Sequence, residues 1–179
     1  MRTRTGLLAA ALLAGTGLLT QPALAGKSDN SVHLAYDQAP ESVDPFFNNV
    51  RIGVIIGQHV WDTLVYRDPD TGEYKGQLAK AWRQVDDRTL EFDLREGVKF
   101  HNGEEFDADD VVYTLNFVSK PESGVTTQQN VAWIEKAEKL DKYKVRVTTK
   151  QVFPAAIEYL SGPVVMHPNE YYAKVGPQG

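Results

Sequence analysis

Between Thr89 and Pro121 the hydrophobic period of the chain changes once, from that of a strand to that of a helix, and this switch restricts the fold more than any other feature. Leu90, Phe92 and Leu94 alternate with polar neighbours through residues 89–95, which predicts a strand with one buried face. Val98 and Phe100 resume the alternation beyond Glu96-Gly97 and predict a hairpin, with Asn102-Gly103 as a further turn. Asp107 then stands where a helix N-cap belongs. Its carboxylate can accept from the free amides of Asp109 or Asp110, and those two acids put negative charge at the positive end of the helix dipole. Val111, Val112, Leu115 and Val118 follow at helical spacing, and Pro121 requires the helix to end before it. A strand unit running into a capped helix makes this a mixed α/β chain.

The same reading yields shorter pieces elsewhere. Val32, Leu34 and Tyr36 alternate as a first strand, and residues 38–49 form a loop carrying Pro40 and Pro45. Ile52, Ile55, Ile56, Val60 and Leu64 fit a helix over 50–64 that should pack on that strand. Gly53 and Gly57 lie four apart on it and, lacking side chains, permit close approach of a neighbour. Residues 67–76 are rich in turn formers, and Leu78, Ala81 and Trp82 predict one face of a short helical turn. Residues 121–130 read as a polar loop, 154–160 as a short helix and 164–166 as a buried strand. Residues 133–147 send two signals at once: Ile134, Ala137 and Leu140 repeat like a helix, while Tyr143, Val145 and Val147 alternate like a strand.

Residues 1–25 read as an export signal. Arg2 and Arg4 supply the positive start, an uncharged apolar run follows, and Ala23-Leu24-Ala25 has the small-x-small form of a cleavage site. The run over 6–19 is 14 residues long, short of the ~20 needed to cross a bilayer core, so no membrane insertion of the mature chain is expected. The arginines are not adjacent and no cysteine follows the cleavage site, which leaves the general secretory route and no lipid anchor. Cleavage before Gly26 leaves 154 of the 179 residues, the size of one domain, and takes the net charge from −5 to −7. That acidic balance argues against nucleic acid as a partner. With no cysteine in the chain, a disulfide framework, a thiolate metal site and a cysteine nucleophile are all excluded.

Three blocks carry a resemblance: Leu78-Ala79-Lys80-Ala81-Trp82; then 89–103, ending Leu94-Arg95-Glu96-Gly97-Val98-Lys99-Phe100-His101-Asn102-Gly103; then Phe106-Asp107-Ala108-Asp109-Asp110-Val111-Val112. Their order resembles the signature of extracellular solute-binding protein family 5, the periplasmic oligopeptide, dipeptide and nickel receptors of ABC importers. Asp44-Pro45, residues 61–65 and Gly162-Pro163-Val164-Val165 add smaller matches, so the likeness spans about 32–176. The resemblance implies the N-terminal part of lobe I of a type II periplasmic-binding-protein-like fold over 26–179. Family members are much longer, so the second lobe and hinge are expected to be missing. Asp107 stands where the family commonly has threonine, and both are good caps. For residues 133–147 the resemblance implies two paired strands, against the local helical period.

Function follows from the same likeness. It implies a receptor that captures peptides or a similar small solute in the periplasm for a membrane permease and ATPase, acts as a monomer, needs no cofactor and is not an enzyme. In the family the loop after the first strand borders the ligand cleft, which makes Asp44, Phe46, Phe47 and Asn48 the candidate ligand-binding residues; the two phenylalanines have no evident packing partner nearby in sequence. Alternatives are a receptor for a nickel complex or haem, or a truncated fragment without function. The four histidines, His33, His59, His101 and His167, are far apart and unpaired in spacing, so no metal site is expected. Gly26-Lys27-Ser28 ends like a phosphate-binding loop but has Gln21 where the first glycine belongs, and no Gly-x-Ser-x-Gly elbow is present. Adjacent Asp109 and Asp110 point apart on a helix, which suits capping rather than facing-carboxylate chemistry. Trp61, Trp82 and Trp133 sit at apolar positions of regular elements and are expected in the core.

Overall fold

A computed structural model describes residues 30, 31, 33, 35–37, 39 and 42–176. The export signal, and Val32 and Leu34 of the expected first strand, lie outside these residues; Tyr36 is exposed and in no regular element. Twelve short elements follow, of which ten concern the argument: α1 (Arg51–Val60), β1 (Val65–Arg67), β2 (Tyr74–Gly76), β3 (Ala79–Asp86), β4 (Thr89–Leu94), α2 (Ala108–Val118), β5 (Ile134–Asp141), β6 (Lys144–Thr149), α3 (Ala156–Tyr159) and α4 (Asn169–Val175). Strands β3-β4-β6-β5 form an antiparallel sheet in that order, and β1 and β2 pair as a separate hairpin. This is the mixed α/β fold that the period switch implies.

The sheet buries one face under α2, which lies across β5 and β6. Leu90, Phe92 and Leu94 of β4 and Val145 and Val147 of β6 meet Val111, Leu115 and Val118 of the helix in one core. Burying side chains of this size is worth roughly 1.5–3 kcal/mol each, the main force holding helix to sheet. Asp107 caps α2 as expected: its carboxylate accepts from the Asp109 amide at 2.7 Å, and its own amide donates to Asp110 at 2.8 Å, closing a capping box. On the opposite sheet face Glu91, only 4% exposed, accepts from Arg83 of β3 and Arg146 of β6. These two guanidiniums hold its carboxyl down at about 2.

Several expectations are corrected. Helix α1 stops at Val60, because the chain beyond Trp61 straightens to bridge Thr63 with Val165 and to receive the Met166 amide at the Asp62 carbonyl. Leu64 is therefore fully buried in extended chain rather than on the helix. The turn-rich 67–76 contains β2 as well as the 68–73 tip of the β1–β2 hairpin, braced by Asp68, which accepts from the amides of Asp70 and Thr71 and pairs with Lys75. Residues 78–82 are not helical: Ala79 to Trp82 open β3. The hairpin partner of β4 is β3, while 98–106 folds back on itself through a Lys99–Glu105 bridge, with Gly103 at φ +90° in the turn. Residues 134–149 are two paired strands, β5 and β6, as the family resemblance implied. Val164, Val165 and Met166 are buried as expected, though joined to their neighbours by a single bridge.

Candidate functional site

The loop before α1 is shaped by Asp44. Its carboxylate accepts from the Phe46 amide at 2.9 Å, and its carbonyl accepts from the Phe47 amide at 3.1 Å, with Pro45 at the corner that a fixed φ favours. The second carboxylate oxygen receives the Tyr172 hydroxyl at 2.7 Å and His167 Nε2 at 3.2 Å. Burial alone would raise the pKa of Asp44; the bond and charge of His167, then Tyr172 and the Phe46 amide, outweigh it and hold the carboxyl below its ordinary range. Tyr172 is pushed up in turn by burial and by the carboxylate it serves.

His167 is the hub of this arrangement. It is 1% exposed, stacks on Trp61 with centroids 4.5 Å apart and 13° between planes, and meets Phe46 at 5.3 Å and Tyr172 edge-on at 4.4 Å. Its backbone N–H donates a hydrogen bond to Thr114 Oγ1 of α2 at 3.1 Å. With Asp44 as acceptor Nε2 is the donor of this contact, and Nδ1 has no partner among the described residues. Asp110 braces the same region from the other side, accepting from the Asn169 amide at 2.9 Å at the start of α4. Burial pushes the Asp110 carboxyl up to about 6 despite the amides of Asn169 and Asp107.

The four candidate residues thus divide. Asp44 and Phe46 turn inward, Phe46 being 1% exposed, so its packing partner exists after all: His167, far along the chain. Phe47 is half-buried against the core. Asn48 is buried but reaches a groove, with its oxygen accepting from the Val50 amide at 3.0 Å and its nitrogen donating to the Ser42 carbonyl. Close approach is why Gly53 and Gly57 lack side chains: a methyl at Gly53 would strike the Asn48 carboxamide, and one at Gly57 would lie 3.1 Å from Pro45.

The groove itself is open and about 610 Å³ in volume. Asn48, Asn49, Gln58 and Trp61 line one side, Gln129, Asn130 and residues 161–163 the other. A second depression of about 430 Å³ runs between Asp44, the 100–102 turn and α4, and Trp61 borders both. Trp133 is in the core as expected and Trp82 is half-buried, whereas Trp61 faces core and grooves together. His101 is exposed at the turn, with its Nε2 3.2 Å from the Val60 carbonyl. No cluster of three metal-ligating side chains occurs among the described residues. Sequence reasoning passed over His167 and Tyr172 because they lie 123 and 128 positions from Asp44 and carry no local pattern.

Comparison with known proteins identifies the fold's relatives. Residues 73–178 match the family described as bacterial extracellular solute-binding proteins, family 5 Middle. The glutathione-binding protein GsiB of Salmonella paratyphi A is 32% identical over 155 residues, covering 86% of this chain and 30% of that protein. Among solved structures, the PBP AgaA of A. tumefaciens R10, in complex with agropinic acid, superposes with a TM-score of 0.72 at 26% identity over 79% of this chain and 29% of AgaA. MoaA from the same source, in complex with mannopinic acid, gives 0.69 at 25% identity over 75% of this chain and 29% of MoaA. The chain therefore spans about 30% of the length of the relatives it matches. With the matched family covering more than half of its residues, the chain belongs to the family 5 bacterial extracellular solute-binding proteins.

Proposed function

We propose that this chain forms one wall of the ligand cleft in a receptor that delivers peptides or a similar small polar solute to an ABC importer. Residues 1–25 direct it through the general secretory route, and 26–179 act in the periplasm as part of the receptor's first lobe. The permease and ATPase subunits are its partners there. The observation that carries the reading is the open groove beside α1, whose lining residue Trp61 stacks on His167 of the Asp44, His167 and Tyr172 cluster. Clefts of this volume suit small solutes, and their walls carry a few polar groups on rigid elements. Within loop 44–48, Asn48 meets the solute directly, Asp44 and Phe46 position it, and Phe47 seals the loop against the core. Capture is binding without bond chemistry, in keeping with a family of non-catalytic transport receptors.

The relative named for glutathione points to small peptides as the first solutes to test. Closure of a second lobe over this wall would give the bound state its extra contacts and so favour it. Calorimetry checks the proposal. The chain from Gly26 is expected to show no measurable affinity for glutathione or for dipeptides, and a receptor of the relatives' length that contains it is expected to bind. Absence of binding by the longer protein to any peptide-like or opine-like solute would remove the receptor reading.

A further inference from the structure

We propose that the part of the solute lying against this wall is uncharged and is read through its neutral hydrogen-bonding groups by carboxamide side chains; this rests on the receptor reading above. Among the described residues the groove is lined by six carboxamides and by no aspartate, glutamate, lysine, arginine or histidine. Two of the six are already engaged: Asn48 by Ser42 and Val50, and Gln77 by Asp62 and Thr63. The other four, Asn49, Gln58, Gln129 and Asn130, make no side-chain hydrogen bond within the protein. They come from separate segments, Asn49 and Gln58 from the loop and α1, Gln129 and Asn130 from the short helical turn Gln128–Asn130.

A carboxamide carries both donors and acceptors, so it can serve the N–H and the C=O of a peptide unit, or a hydroxyl, equally well. A carboxylate or ammonium in the same groove would give up water and find no opposite charge among the lining side chains. Asp62 is not among the lining residues; its exposed carboxylate lies at the edge, where it accepts from the Gln77 side-chain amide. Charged ends of the solute must therefore be met elsewhere in the receptor. Trp61 and Tyr66 add ring surface on which an apolar or sugar face can rest.

The test uses the ¹⁵N-labelled chain and probes at millimolar concentration, in a range too weak for calorimetry. N-acetyl-alanine-N-methylamide stands for a neutral peptide unit, with acetate and methylammonium as the charged probes. The side-chain NH₂ signals of Asn49, Gln58, Gln129 and Asn130 are expected to move with the neutral probe and to stay still with the two ions. A Gln58→Leu, Gln129→Leu chain, whose remaining spectrum reports an intact fold, is expected to bind the neutral probe at least about fivefold more weakly, as lost hydrogen bonds dictate. The inference fails if either ion binds as well as the neutral probe, if no probe moves these signals, or if the double variant binds unchanged. None of those results touches the receptor reading, which stands or falls on calorimetry of the longer protein.

Discussion

Asp44 and Asp110 anchor the same short helix, α4, from opposite electrostatic positions. The first is a carboxylate held ionised by His167 and Tyr172; the second is pushed up to about 6 by burial while still accepting two amides. Asp44→Ala leaves a buried imidazole and a buried phenol without their acceptor, and is expected to cost about 3 kcal/mol in urea unfolding. For Asp110 the folded pKa lies above the unfolded value of 3.8, so its stabilising contribution is complete below about pH 4 and is lost as pH rises through about 6. Thermal melts of the wild type and of Asp110→Asn, compared from pH 4 to 7, should show this falling component only in the wild type. The Asp107 cap was legible because capping is local, and so was the presence of Asp110 beside it. The second bond of Asp110, to Asn169, was not, since it joins residues 59 positions apart. The same distance in sequence hid the packing of Phe46, whose partner ring follows 121 residues later.

At the level of elements, legibility followed regularity. Strand β4, with an unbroken alternation, is read directly, whereas β3 and β5 carry irregular registers. In β5, Ile134 pairs with Thr149 and Ala137 with Val147, so the two residues between them, Glu135 and Lys136, oppose the single Thr148. Both therefore face the core, and a bulge reproduces the spacing of a helix. In β3 the same slip between Ala79 and Ala81 puts Ala79 opposite Leu94 and Trp82 opposite Phe92. Ala79 and Trp82 thereby turn inward three residues apart, while Ala81 of the expected helical face is exposed. Only likeness to a family, which senses order over a longer span, separated strand from helix at 133–147. Helix α1 offers a sharper test, because its glycines touch the candidate loop. Gly53→Ala should displace Asn48 and cost about 1–3 kcal/mol by overpacking, measured by chemical denaturation.

For the whole molecule, the core beneath α2 is the common support of sheet and loop. Leu115→Ala, at a fully buried position of that core, should lower stability by about 2–5 kcal/mol and depress the midpoint of thermal unfolding. The groove should suffer with it, since Thr114 on the same helix holds His167. The sequence could supply the class of fold and the family, but the neutrality of the groove depends on which side chains meet across long loops, and no period encodes that. The outer strands have one more consequence. Both rims of the sheet are kinked by a bulge, and at β5 the Ala137 N–H and C=O are already taken by the Asn116 carboxamide at 2.8 and 2.9 Å. At the β5 rim a newcomer strand would meet an interrupted ladder, so lateral extension of the sheet on that side is blocked at Ala137.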